Sequence, residues 1–282
     1  MPLDLSIVGA PSAPEVFEYT WKDVVLYALG VGAKSDELDF LYEGRGPKVI
    51  PTFAVVPKFP PMLRLLGKTG GNMAMIVHGG ERAVVHIPFV ASGNIVTTVD
   101  VRGIYDMRKF AYVLVDARTE DSAGRLVAET TSSIIFRGEG GFGGEPLPKE
   151  DPPVSKPKGA APTFRVEEAT LPEQALLYRL SGDFNPLHAD PDFAAAAGFE
   201  RAPILHGLCT FGFMARHVAK ALCGGDATRV RAVAAQFRRP VWPGDTLVTE
   251  GWQVREDAVA LEVKVKERDE AVITGAWALL GG

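Results

Sequence analysis

Cysteine is nearly absent: Cys209 and Cys223 are the only two in 282 residues. If the chain between them is helical, fourteen positions at about 1.5 Å each set them roughly 21 Å apart. A disulfide needs alpha carbons within about 7 Å. Both therefore read as core thiols of a protein in a reducing compartment, and a four-ligand zinc site is unsupported. Long apolar runs are missing too. No stretch approaches the ~18 residues of a membrane-crossing helix, so no membrane partner is expected. Basic charge is not in excess, with 30 Lys and Arg against 35 Asp and Glu and a net charge of −5. That balance argues against a nucleic-acid partner. MPLDLSIVGAPSAPEVF at the N-terminus lacks the basic start and apolar block of a signal peptide, and WALLGG at the other end carries no tripeptide address. The expected location is the cytoplasm, or the peroxisome for a eukaryotic chain that forms part of a larger protein.

What is present is a soluble globular composition, 46% hydrophobic and 23% charged, over a length that suits two domains. Between Arg137 and Pro162 the chain reads RGEGGFGGEPLPKEDPPVSKPKGAAP, where apolar periodicity gives way to Gly, Pro and charge. That composition reads as a linker. It separates residues 1–139 from 163–282, with 140–162 between them.

The two sides resemble each other. LYAL (26–29) matches LYRL (177–180), RAVV (82–85) matches RAVA (231–234), and PFVASGNIVTT (88–98) matches PVWPGDTLVTE (240–250). Three matches in order, each offset by about 150 residues, indicate a duplicated unit. In the second copy LPEQALLYRL reads as a helix with Pro172 in its first turn, and DPDFAAAAGF as a short helix stopped near Gly198. GLCTFGFMARHVAKALCGG reads as a mostly buried helix ended by Gly224 and Gly225. Four alternating strands follow from Val230. The fold class is α+β, with an antiparallel sheet wrapped around a central helix, made twice. Strands are clear in the first copy from Arg82 to Phe136. Its central helix should be disrupted or shortened by Pro57, Pro60 and Pro61, which leaves room for a ligand.

SGDFNPLHADP (181–191) holds the candidate chemistry. Pro186 fixes its own φ and drives Asn185 into an extended conformation, so Asp183 and His188 sit on a short preorganised loop. A carboxyl group beside an imidazole can activate water, one taking a proton and the other delivering one, while the Asn185 amide orients. Fifteen residues after His188, PILHG (203–207) leads into the buried helix. Backbone N–H groups at a helix start, with Gly207 permitting close approach, suit a developing oxyanion. Taken singly, Asp183 also reads as a turn cap and His188 as a structural histidine. A metal site of Asp183, Asn185, His188 and Asp190 is disfavoured by its mixed spacing and amide ligand.

The string YRLSGDFNPLHADPDFAAAAGFERAPILHGLCTFG (178–212) closely resembles the signature of the MaoC-like, R-specific type-2 enoyl-CoA hydratases. Further similarity to the double-hotdog members, including the hydratase region of peroxisomal multifunctional enzymes, lies in YALGVGA (27–33), LDFLYEG (38–44), PTFAVVP (51–57) and GGFGG (140–144). The resemblance implies a double hotdog whose C-terminal half carries a single active site. There Asp183 and His188 would activate water, Asn185 would assist, and the Gly207 amide would hold the oxyanion. It further implies that His78, Gly79 and Phe237 meet the CoA thioester, that Glu43 contributes, and that no redox cofactor or metal takes part. The implied reaction is addition of water to a trans-2-enoyl-CoA, giving an (R)-3-hydroxyacyl-CoA, with further assembly into a homodimer an expectation of the family. Alignment of Tyr27 with Tyr178 places Gly32 opposite Asp183, with no His following in VGAKSDELDF. The first copy therefore lacks the pair, and the resemblance gives it the role of accommodating the acyl chain. Arg238 and Arg239, with Arg102, Arg108 and Lys109, are candidates to meet the CoA phosphates. The competing readings are a hotdog thioesterase, a dehydratase acting on acyl-carrier protein, and a non-catalytic acyl-CoA-binding module.

Overall fold

Each half builds the same series of elements, as the repeated sequence requires. In the first these are β1 (Glu15–Tyr19), α1 (Trp21–Gly30), α2 (Leu38–Leu41), α3 (Val55–Gly67), β2 (Ile76–Val85), β3 (Gly93–Asp106), β4 (Phe110–Asp121) and β5 (Leu126–Arg137). The second has β6 (Phe164–Ala169), α4 (Gln174–Tyr178), α5 (Pro191–Ala196), α6 (Gly207–Leu222), β7 (Val230–Phe237), β8 (Thr246–Arg255), β9 (Ala258–Val265) and β10 (Glu270–Leu280). The structure is a computed structural model describing residues 3–281, so Met1, Pro2 and Gly282 at the two termini read above lie outside it. Residues 138–163 carry neither helix nor strand.

All ten strands join one antiparallel sheet in the order β1-β3-β4-β5-β2-β7-β10-β9-β8-β6. The second five repeat the first five in reverse, as a two-fold relation demands. Two sheets were expected; instead β2 and β7 hydrogen-bond to each other and fuse them. RAVV and RAVA lie in these two strands, and their pairing maps onto itself. Ala83 pairs with Val233 and Val84 with Ala232, and exchanging the two copies turns one pair into the other. The fusion covers two sheet edges that would otherwise be exposed. The matched tyrosines also meet, with the rings of Tyr27 and Tyr178 6.0 Å apart.

The alternation of β3 puts Val99 and Val101 fully in the core, while Arg102 stays half-buried. Helix α6 is apolar all round because it is enclosed: every residue from Leu208 to Ala219 is buried. Its one interior charge, Arg216, is fully buried, bonded to Glu37 at 2.6 Å, to Glu168 and to the Val31 carbonyl. Cys209 and Cys223 are buried free thiols.

The first-copy helix departs from expectation. α3 runs for 13 residues through Pro60 and Pro61, after a 3-10 turn at Pro51–Ala54. The prolines remove backbone donors, but nine of the helix residues are buried, and tertiary packing overrides a local propensity penalty of about 3 kcal/mol each.

Close helix contact makes one glycine indispensable. A Cβ at Gly212 would stand 2.8 Å from the Cβ of Val31 and 3.3 Å from the Tyr27 hydroxyl. Gly212→Ala is expected to destabilise by about 1–3 kcal/mol through overpacking, read as a drop in melting temperature. An unchanged melting temperature would show that α1 and α6 can separate freely.

Candidate active site

The loop after α4 is held by its own side chains. Gly182 takes φ 115°, in the left-handed region, and turns the chain out of the 3-10 turn that follows α4. The Asn185 side-chain oxygen Oδ1 accepts from the Leu187 N–H at 3.0 Å, and Pro186 opens a second 3-10 turn that ends at His188. Asp190 then caps α5, accepting from Asp192 N–H at 2.9 Å and Phe193 N–H at 3.3 Å. The turn-cap reading of Asp183 rests on one bond, from the Asn185 N–H at 3.3 Å, while Asn185 and Asp190 do most of the capping, and what Asn185 still offers is its NH2 donor.

His188 is buried, and its Nδ1–H donates to the Ile204 carbonyl at 2.8 Å. That bond fixes the tautomer and leaves a lone pair on Nε2. Burial pushes the imidazole down to about 4, against the support of the Ile204 bond. Asp183 moves the other way: enclosure by protein pushes its carboxyl up to about 7, opposed by a 3.3 Å bond from Asn185 N–H and by the charge of Arg179. Two neighbouring groups pushed apart in this way favour a protonated acid beside a neutral base.

His206 completes the cluster. Its ring stacks on His188 at 3.7 Å between centroids and contacts Tyr178 at 4.8 Å, and its Nε2–H donates to the Asp183 carbonyl at 3.2 Å. Burial and the neighbouring His188 hold it well below the ordinary histidine value. Sequence reasoning passed over this residue, although PILHG places it directly before the helix start. Gly207 follows as the first residue of α6, where a backbone N–H has no partner within the helix. A Cβ at Gly207 would press on the Phe237 ring at 3.3 Å.

Asp183, His188 and Gly207, with His206 packed behind them, line a cavity of about 730 Å³ built from both halves. Asp183, Asn185, His188 and Gly207 come from the second half, and so does Phe237 on β7. His78 and Gly79 on β2 come from the first, with apolar side chains of α3 such as Phe59, Met62 and Leu66 extending the cavity between them. His78 meets Phe237 edge-on at 5.3 Å. Glu43 is not brought to this site: it lies on an exposed 3-10 turn, Glu43–Arg45, outside the cavity lining. Of the basic candidates, Arg238 and Arg239 line the cavity. Arg102 is engaged by Asp116 at 2.6 Å and Glu150 at 2.8 Å, and Arg108 and Lys109 occupy the turn between β3 and β4, away from the lining.

Asp183, His188 and His206 each bring a possible ligand atom within 4.8 Å of the others. The two imidazole planes, however, lie face to face at 27°. His188 Nδ1 and His206 Nε2 already donate to the Ile204 and Asp183 carbonyls, which leaves one ring nitrogen on each histidine.

An antiparallel sheet doubled around two central helices, with one acid–base loop at the mouth of the second, defines a MaoC-like double hotdog. Residues 153–276 match the family model described as MaoC like domain, and residues 17–138 match the MFE-2 hydratase 2 N-terminal domain. The chain belongs to this MaoC-like, hydratase 2 family. It is 37% identical to the enoyl-CoA hydratase 2, peroxisomal, of Arabidopsis thaliana, over 94% of this chain and 92% of that one. It is 39% identical to the 3-hydroxyacyl-thioester dehydratase Y of Mycobacterium tuberculosis, over 96% and 94%. The crystal structure of a MaoC-like dehydratase from Phytophthora capsici superposes with a TM-score of 0.86 at 32% identity, covering 98% of this chain and 97% of that one.

Proposed function

We propose that this chain is an enzyme that hydrates trans-2-enoyl-CoA to (R)-3-hydroxyacyl-CoA, reversibly and without a metal or redox cofactor. The observation that carries the reading is the oppositely shifted Asp183–His188 pair beside the free N–H of Gly207, in one cavity. A water molecule between the two groups gives its proton to His188 Nε2 as its oxygen bonds to C3 of the thioester. Negative charge moves onto the thioester oxygen, where the Gly207 N–H stabilises it. The Asp183 carboxyl delivers a proton to C2, and transfer from His188 back to Asp183 resets the pair. Both groups sit within 4.8 Å of each other, so OH and H add from one side. The N-terminal half (1–139) serves the acyl chain and lacks the pair, 140–162 links, and 163–282 is catalytic. His78, Gly79 and Phe237 form the wall against the thioester. Arg238 and Arg239 are the cations nearest to meet phosphate. The matched relatives named for this activity support the same assignment.

The test is incubation with trans-2-enoyl-CoA, following the enoyl-thioester absorbance, free thiol and the configuration of the product. Loss of absorbance without thiol, giving the R alcohol, is expected. Thiol release would make the chain a thioesterase, and binding without turnover would make it a carrier of acyl-CoA. A higher kcat/KM on acyl-carrier-protein thioesters than on CoA thioesters would move the substrate to that carrier.

The pH dependence follows from the pair. Activity needs one proton shared between Asp183 and His188. As pH rises through about 7 Asp183 loses it, and as pH falls through about 4 His188 gains a second. A profile of kcat/KM against pH should therefore be a bell with limbs near those values. A rate that kept climbing to pH 9 would contradict the shared-proton pair.

A further inference from the structure

A second set of buried titratable groups lies in the first half, outside the reacting centre. Lys58 on α3 is 2.5 Å from both Glu81 Oε1 and the Ser132 hydroxyl, and Ser132 donates to Glu81 Oε2 at 2.9 Å. All three side chains are buried, and Glu81 Oε2 also takes the Nε2–H of His78 at 3.1 Å. On a regular strand residues three apart face opposite sides. Here the ladder between β2 and β5 slips between His78 and Gly80. The extra residue, Gly79, forms a bulge that turns His78 and Glu81 to one side.

The fold itself does not call for a charge at this place. The residue before RAVV is Glu81, and the residue before the matching RAVA is Val230, which is buried and apolar. A buried Lys–Glu pair is seldom more stable than an apolar pair of similar volume, so its presence in one copy alone calls for another reason. That reason is at hand in His78, which faces the cavity and stands edge-on to Phe237, the ring lying over Gly207.

The geometry points to Glu81, held by Lys58 and Ser132, as a positioning residue that acts on the thioester through His78. By accepting from Nε2, Glu81 fixes the tautomer and leaves the Nδ1 lone pair, and it holds the ring against Phe237. Burial alone would raise the Glu81 carboxyl, but the Lys58 and His78 partners outweigh it and keep it ionised. The non-catalytic copy thereby reaches across the β2–β7 junction and shapes the site in the other copy. This inference rests on the hydratase reading of the cavity.

The test is a double-mutant cycle between Lys58→Met/Glu81→Leu, which replaces the charge pair with apolar side chains, and His78→Asn. In the His78 background the paired replacement is expected to lower kcat/KM for enoyl-CoA by about tenfold or more, the effect of a misplaced wall group. In the His78→Asn background it should add less than about twofold, because the residue it acts through is gone. Glu81→Asp keeps the charge pair but draws the carboxylate away from His78, and should lower kcat/KM by itself. It serves as the measurement if the paired replacement does not fold. Full activity in a folded Lys58→Met/Glu81→Leu or Glu81→Asp protein, or an equal loss in both His78 backgrounds, would overturn the inference. Absence of hydration by the unaltered protein would instead overturn the hydratase reading, and this inference with it.

Discussion

Asp183→Asn is expected to lower kcat by about 10³- to 10⁴-fold and, at the same time, to raise the melting temperature above neutral pH. The amide fills the same volume and can still accept from the Asn185 N–H, but it has no proton to deliver to C2. The stability gain follows from linkage. The folded carboxyl titrates near 7, above the ~3.9 of an unfolded Asp, so the folded state holds the proton more tightly. Stability from this group is therefore full below about 3.9, is lost as pH rises, and is gone above about 7. Asparagine removes the dependence. The melting-temperature difference between variant and parent should widen from pH 4 to pH 7 and then level off. A structural aspartate would show the opposite, a loss of stability on replacement. Near-normal turnover by the variant would remove Asp183 from the mechanism.

A site kept at a cost in stability is one that local rules do not explain, and this bears on what could be read from the sequence. The motif loop was legible because Pro186, Asn185 and Asp190 impose their turn through short-range bonds that depend on the neighbouring residues alone. The four strands after Val230 and the enclosed helix α6 were legible from periodicity. The repeat went further: RAVV and RAVA, matched as text, turn out to pair with each other across the middle of the sheet. What stayed hidden depends on tertiary contact. β1 and β6 are five and six residues long, too short for an alternation to stand out, and they become strands by pairing with β3 and β8. α3 looked broken because helix propensity weighs its prolines, whereas the core into which it packs outweighs them. Lys58, alone in an apolar run, gave no sign that its partner was Glu81, 23 positions away. Glu43 lies outside the cavity for a related reason. A short match such as LYEG places a residue in a family but not in a pocket, whereas the long string from Tyr178 to Gly212 carries its own geometry.

His188→Ala is expected to lower kcat by a similar 10³- to 10⁴-fold, and the double variant Asp183→Asn/His188→Ala to be scarcely slower than either single one. The two groups handle one proton between them. Once His188 is removed nothing takes the proton from water, and the carboxyl of Asp183 has no partner to restore it after delivery. Groups that act as a unit lose their whole effect with the first removal, so the losses do not multiply. What survives in the double variant is the contribution of the Gly207 N–H and of the cavity, which bind and polarise the thioester without either residue. A low residual rate, independent of pH between 4 and 9, is expected for it. If the losses did multiply, giving a double variant about 10⁶-fold or more below the parent, Asp183 and His188 would be serving separate steps and the shared-proton mechanism would be wrong. His188→Asn refines the result, because its amide nitrogen takes the place of Nδ1 and can donate to the Ile204 carbonyl as Nδ1–H does now. With the loop held and only the base missing, it should match His188→Ala in rate while exceeding it in melting temperature.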